Sequence, residues 1–513
     1  MRGSVERFCS KHPLPLVCAG AFAWLWIVAR ACVQSITIDE ADTYLEFVAP
    51  RYPFHWAAAA NNHVLNSALM RLSTSLLGAS ALTLRLPALL GAALYIAAVY
   101  FLVRLISGPL VLQWALYVCL IFSPLVMDYL VAARGYSLAL AFLALAVTVA
   151  ARHQALGPEA RSAALYRTAA LVSAILALSF CASFPFAIAD AATALLLSVW
   201  MSRGMPARYM KLLAAAVLPG LAAAYLITGP TLLAWPKGQL AWGAASLWKT
   251  GGSVLTASLF EPNSHLLNPH LFWLFLKAGR YLFPLLGVLF LWRTVTLILN
   301  RAAVRQGASR WRAGLAAACG GILIVTLACH WLLYAAFGIL LPQERTALFI
   351  APLCLIMAGA ATAIPLSSRM GRASGVAVTA VLTAVACYSL GCLRLTYFKE
   401  WRWDADVKNV YSVLAYYNHA YGVTAVSAEW RYASALNCYR ALSGRETIHE
   451  IAPGPAAVEK YPPGFPLYVL HFPEDEPLLA REKLKVVYRD AFTNATVAIR
   501  PELESARLCS TPH

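Results

Sequence analysis

The chain has 513 residues, 60% of them hydrophobic and 13% charged, about half the charged fraction of a soluble globular protein. That composition excludes a soluble enzyme and points to a polytopic membrane protein. The net charge of +17 is spread over short loops with no basic arm, so no nucleic acid is expected as a partner.

Apolar runs of about 20 residues, each long enough to cross a bilayer as a helix, predict eleven spans. They lie near 14–33, 87–106, 110–127, 133–151, 168–184, 186–201, 212–229, 279–298, 313–336, 346–365 and 375–394. Pro185 in "SFPFAIAD" marks a turn between two of them. The N-terminus carries Arg2, Arg7 and Lys11, and alternate loops carry Arg152, Arg161 and Arg167, then Arg203 and Arg208, then Arg293, Arg301, Arg305, Arg310 and Arg312, then Arg369 and Arg372. The positive-inside rule places these in the cytoplasm. An odd number of spans then puts the C-terminus outside, for which a bacterial inner membrane with a periplasmic or extracellular outer face is the expected setting.

Three segments break the hydrophobic pattern on the outer side: the loops 34–86 and 230–278 and the tail 395–513. In the first, "HVLNSALMRLSTSLLG" has helical spacing and ends on Gly78. The second holds Trp235, Trp242 and Trp248, with Lys237 and Lys249. It suits either a loop that closes over a ligand or an interfacial aromatic belt. The tail alternates a helical stretch, "EWRWDADVKNVYSVLAYYNHA", with strand-like "GVTAVSA", "FPLYVLHF", "KLKVVYRD" and "ATVAIRP". The fold class is therefore mainly α: a polytopic helix bundle over 1–394 and a small α/β extracytoplasmic domain over 395–513. The twelve cysteines contain no CxxC pair. Cys438 and Cys509 share the tail and are candidates for a disulfide.

Four carboxylates, Asp39, Glu40, Asp42 and Glu46, crowd "SITIDEADTYLEF" just after the first span. One acid there reads as a solvated helix exit. A cluster followed by a long patterned loop reads as chemistry at the membrane edge.

"TIDEADTYL" resembles the Asp-Glu motif that opens the first outer loop of GT-C-type glycosyltransferases, the superfamily of protein O-mannosyltransferases and the lipid A aminoarabinose transferase. "NNHVLNSALMRLSTSLLGASALTLRLP" is similar to their amphipathic loop helix and the opening of their second span. "SPLVMDYLVAARGYSLALAFLAL" resembles their third-to-fourth-span turn, and "LPQERTALFIAPL" their late outer loop. "YFKEWRWDADVKNVYSVL" looks like the start of the outer domain of bacterial members. The match runs in order over most of 30–365. It departs at "NNHVLN", where many relatives have His-Pro-Pro.

The resemblance implies a glycosyltransferase that moves a sugar from a polyprenyl-phosphate donor to a lipid, glycan or protein acceptor on the outer face. A hydroxyl acceptor needs a base within hydrogen-bond reach. Asp39 is the candidate, with Glu40 assisting. The leaving lipid phosphate needs cations, and arginine grips phosphate with two donors. Arg134 and Arg345, at the outer mouths of two spans, are the candidates, with Lys249 beside them. Asn62, His63, Tyr136 and Glu344 are candidates for acceptor or substrate contacts. A divalent metal is a candidate cofactor, held by Glu40, His63 and His265. Two other readings stand beside it: a non-enzyme, a transporter or flippase for lipid-linked sugars, which places ionisable groups at mid-membrane, and a second enzyme, an oligosaccharide ligase or polymerase. Asp190 is the main acid inside a span.

Overall fold

The computed structural model describes residues 13–50, 58–203, 209–234, 242–305, 307–444, 447–455 and 461–503. Helix α1 (Leu14–Val33) is followed by a short turn, α2 (Ile38–Asp42), and a π-helical turn at Thr43–Val48. Then come α3 (Val64–Leu77), α4 (Ala81–Ile106), α5 (Leu110–Phe122), α6 (Pro124–Tyr129), α7 (Tyr136–Gln154), α8 (Pro158–Ala182) and α9 (Ala187–Ser202). The series continues with α10 (Tyr209–Leu233), α11 (Leu247–Ser258), α12 (Pro269–Leu299), α13 (Arg301–Val304), α14 (Gly307–Phe337), α15 (Ile350–Thr362) and α16 (Arg369–Gly391).

Ten helices among the described residues are long and apolar enough to span a membrane, and the shorter apolar α5 makes an eleventh. The chain is a multi-pass membrane protein, as the hydropathy pattern predicts. Eleven alternating passes leave the start of α1 and the C-terminal segment on opposite faces. The apolar content of these helices points two ways. Inward, Leu, Val and Ala of α4, α5, α7 and α15 form one continuous core. Outward, α10, α12 and α14 leave Leu221, Tyr225, Leu285, Val288 and Ile324 exposed, a girdle that only lipid would cover.

Two elements differ from the sequence reading. Helices α12 and α14 have 31 residues each, about 46 Å at 1.5 Å per residue, so both run well past a bilayer core of about 30 Å. Arg293 consequently lies inside α12 rather than in a loop. It is buried, and its guanidinium donates to the carbonyls of Ala361, Thr362 and Ile364 at the end of α15 and to Gly371. Those are the carbonyls a helix C-terminus leaves without partners.

After α16 the chain forms a small α/β layer on the face where α1 ends. It contains a 3-10 turn (Arg402–Asp406), α17 (Val407–Tyr421), β1 (Val426–Ala428), α18 (Trp430–Ser443), β2 (Leu467–His471), α19 (Glu476–Arg481), β3 (Lys485–Arg489) and β4 (Ala495–Ile499). The sheet order is β1-β2-β4-β3, with β1 parallel to β2 and the other pairs antiparallel. Central β2 and β4 are buried, while edge strand β3 presents Lys485 and Arg489 to solvent, charges that discourage strand addition. Cys438 is buried in α18; Cys509, proposed from sequence as its partner, lies outside the described residues.

The layer grips the bundle at the segment after α1, among other places. Helix α18 packs on α2. The Ser35 hydroxyl donates to the Ala405 carbonyl, the Tyr439 hydroxyl accepts from the Ile36 amide, and Asp404 accepts from the Ile38 amide. All three contacts hold the stretch that carries Asp39.

Candidate active site

Thr37 caps α2, and Glu40 closes the capping box by accepting from the Thr37 amide at 2.9 Å. Glu40 is then fully engaged. Its Oε1 takes Arg85 Nε at 2.8 Å and the Ala133 amide at 2.6 Å, and its Oε2 takes Arg85 Nη2 at 2.7 Å. The remaining Arg85 donors go to the carbonyls of Ala31, Gln34 and Ser35, so each nitrogen of the fork is used. Burial pushes the Glu40 carboxyl up, but the Arg85 charge and these hydrogen bonds hold it below its ordinary value. Glu40, expected from sequence to assist the base or hold a metal, has no oxygen to spare; it locks the end of α1 to α4 and to the turn before α7.

Asp39 takes the other side of the same turn. Its Oδ2 lies 2.9 Å from Arg345 Nη1, and both side chains are about one-fifth exposed, at 20% and 19%. Arg134 Nη1 donates to the Asp39 carbonyl at 3.0 Å and to Thr43 Oγ1 at 2.8 Å. The Arg134 Nε is buried with no acceptor. So the two arginines proposed from sequence, 211 positions apart (345 − 134), meet at the same carboxyl-bearing residue.

Arg345 has a second carboxylate, Glu400, which also accepts from the Tyr129 hydroxyl. Burial raises the Glu400 carboxyl. Arg345 and Tyr129 oppose that rise, while the charges of Asp39 and Glu344 add to it. The rings of Trp242 and Trp401 lie 5.3 Å and 5.9 Å from the Arg345 guanidinium carbon, within cation–π reach. Beside this group Lys399 Nζ donates to Glu344 at 3.0 Å. Glu344 sits at φ +46°, a conformation L residues adopt at a cost, and its amide donates to Ser253 of α11.

His63 directly precedes α3, and its side chain makes no capping hydrogen bond there. Its ring meets Tyr136 edge-on at 4.9 Å; Tyr136 meets Tyr129 at 5.1 Å, and Tyr129 meets Trp401 at 5.8 Å. This aromatic wall joins the segment before α3 to the C-terminal layer. His63 Nδ1 lies 2.9 Å from the Ala182 carbonyl, which makes it the donor. Nε2 is then the acceptor, buried and without a partner. Burial, together with the charges of Arg134 and Arg345, holds His63 well below its ordinary pKa, so it is neutral. Gly135 permits the close approach: a Cβ there would sit 1.6 Å from the Ala182 oxygen and 2.9 Å from His63 Nδ1.

Other proposed residues are placed differently. Asn62 is buried and its side-chain oxygen accepts from Ser67, which shapes the turn into α3. Lys249 is exposed on the first turn of α11, whose buried face carries Thr250, Val254 and Ala257. His265 is exposed beyond α11. The metal set Glu40, His63 and His265 is not brought together: the Glu40 oxygens are taken up by Arg85, the Thr37 amide and the Ala133 amide, and no group of three His, Cys, Asp or Glu suited to a metal exists among the described residues. Asp42 and Glu46 remain near the cluster, both raised mainly by burial. Lys237 and Trp235 lie outside the described residues.

Sequence reasoning missed Tyr129, Lys399, Glu400 and Trp401, and also Asp128. Asp128 is buried between Arg30, 2.7 Å away, and Arg394, and accepts from the Lys399 amide. Phe398 lies between Arg30 and Arg85, with its ring 5.3 Å and 5.7 Å from their guanidinium carbons. The signal was present in "VMDYL" and "YFKEW", where charges sit directly at span ends on the same face.

Among solved structures, ArnT from Cupriavidus metallidurans in the apo state aligns with 97% of this chain and 99% of its own, at a TM-score of 0.51 and 12% identity. The chain shares the fold of that structure. ArnT from the same organism bound to undecaprenyl phosphate aligns over 97% and 98%, at a TM-score of 0.49 and 13% identity. No family model matches the chain, and no curated protein matches it. Within this fold, Asp39, Arg134 and Arg345 stand where the segment after α1, the turn before α7 and the turn before α15 converge under the C-terminal layer.

Proposed function

We propose that the chain is a membrane glycosyltransferase that moves a sugar from a polyprenyl-phosphate donor to a hydroxyl-bearing acceptor at the face carrying the α/β layer, the outer face of the membrane. The observation that carries this reading is the meeting of Asp39 with Arg345 at 2.9 Å, with Arg134 anchored on the same residue. Two carboxylates, Asp39 and Glu400, around Arg345, with Arg134 beside them, suit a proton acceptor next to an anionic leaving group.

In the proposed reaction the donor phosphate takes Arg345 from Asp39, because a guanidinium fork matches phosphate well. Glu400 and the two tryptophans keep Arg345 in place during the exchange. The freed Asp39 carboxylate accepts the acceptor's hydroxyl proton as that oxygen attacks the anomeric carbon. The bond from that carbon to the phosphate oxygen breaks, and the electron pair leaves on the lipid phosphate, held by Arg345 and Arg134. A single displacement inverts the anomeric centre. His63, neutral and with Nε2 unpaired, supplies a hydrogen-bond acceptor for a sugar or acceptor hydroxyl.

Membranes containing equal amounts of folded wild type and Asp39→Asn, supplied with radiolabelled polyprenyl-phosphate sugars and envelope extract, test this. Wild type is expected to transfer label, and the variant to lose about 100-fold or more, the size of a lost general base. Unchanged transfer by the variant removes Asp39 from the chemistry. Lipid translocation without any glycosidic product would instead identify a flippase.

A further inference from the structure

On the face opposite the α/β layer, α12 and α14 both pack beside α15 but scarcely touch each other. A groove of about 630 Å³ opens between them, lined by Phe290, Leu297, Ala316, Gly320, Ile324 and Met357. Ile298 and Ile324 on its rim are exposed, so it opens on the flank where lipid lies. At its end the groove runs into a second depression of about 300 Å³, and the two share Val304, Arg305, Ala313 and Ala317. There the lining changes character: Arg161, Arg203, Arg305 and Arg310 meet beside Trp200 and Trp311. No Asp or Glu lines either part. Arg161 Nε is buried with no acceptor, and its Nη2 reaches only the Arg203 carbonyl, at 3.4 Å.

We propose that this groove is a binding site for an acidic membrane phospholipid, with its phosphate among Arg161, Arg305 and Arg310 and an acyl chain between α12 and α14. Gathering four guanidiniums without a carboxylate is unfavourable unless an anion joins them. Arginine forks match phosphate oxygens. A free anion would satisfy the mouth alone and leave the apolar groove unexplained; a lipid satisfies both. The site lies across the membrane from Asp39 and is independent of the proposed transfer. General attraction of a basic face to anionic lipid is a weaker statement, because Arg369 and Arg372 share the face but line neither depression.

The test uses the purified full chain with phosphatidylglycerol, phosphatidylcholine or inorganic phosphate as probe, read by native mass spectrometry and by thermal unfolding. Wild type is expected to retain phosphatidylglycerol over phosphatidylcholine and to gain Tm with the former alone. Arg305→Gln/Arg310→Gln is expected to retain at least about 10-fold less, since charged hydrogen bonds are lost. Ala316→Trp, which fills the groove, is expected to lose the lipid as well, whereas Arg369→Gln/Arg372→Gln keeps it. Equal retention and equal thermal stabilisation by the two lipids in wild type would overturn the proposal, without any variant. So would displacement of phosphatidylglycerol by millimolar inorganic phosphate, which would mark a free-anion site.

Discussion

Asp39 and Glu40 adjoin in sequence but lie on opposite sides of one helical turn. Glu40 faces Arg85, and Asp39 faces Arg345. The sequence alone could not separate them, because Arg85 lies 45 positions along the chain from Glu40 and nothing local names it as partner. Removing one member of a buried pair strands the other. Arg85→Met is therefore expected to destabilise the protein by about 3–5 kcal/mol in thermal unfolding, and adding Glu40→Gln should recover part of that loss. A single variant as stable as wild type would refute the locking role. Glu400 gives a pH prediction. Its carboxyl is raised, chiefly by burial, so on acidification it protonates earlier than an ordinary glutamate and releases its hold on Arg345. In Glu400→Gln the acid limb of kcat/KM is expected to move to lower pH; an unmoved limb would detach Glu400 from the site. His63 works in the same sense on stability. Its folded pKa is depressed, so the unfolded chain takes up the proton first, and stability present above about pH 6.5 declines as pH falls below it. Arg134 and Arg345 were legible because each sits at a span mouth. Glu400 was not, because its partner Arg345 is 55 positions away.

At the level of elements, hydropathy located the spans well, since a bilayer imposes a minimum apolar length that composition reveals. Helical spacing likewise located α3, and β-propensity the strands of the small sheet. What escaped was any feature set by contact between elements: the extra turns of α12, the burial of Arg293, and the π-helical turn after α2. The loop between α10 and α12 illustrates the limit. Its tryptophans suited both a belt and a lid, and in the fold they divide. Trp248 is 88% exposed, whereas Trp242 lies against Arg345. Helix α11 is anchored through its buried Val254 and Ala257 rather than through that ring, so Trp242→Ala should leave stability unchanged. Loss of a partly exposed cation–π contact predicts a roughly 2- to 10-fold higher KM for the donor, measured by initial rates. An unchanged KM would return Trp242 to the belt.

Across the whole molecule, the bundle supplies Arg134 and Arg345, and the C-terminal layer supplies Glu400, Trp401 and the clamp on residues 35–38. Truncation after residue 394 is thus expected to leave a membrane-inserted helix bundle with transfer activity reduced by at least about 100-fold; full activity in the truncated protein would make the layer dispensable. The clamp also bears on biosynthesis. The Ile36 amide finds its partner, the Tyr439 hydroxyl, 403 positions later in the chain. Domains form as the chain emerges, N-terminal parts first, yet the segment after α1 must wait for the C-terminal layer to be made before it is held. An incomplete translation product would carry every span from α1 to α16 and still present Asp39 on an unsecured turn, so a chain cut short there would sit in the membrane without the proposed activity.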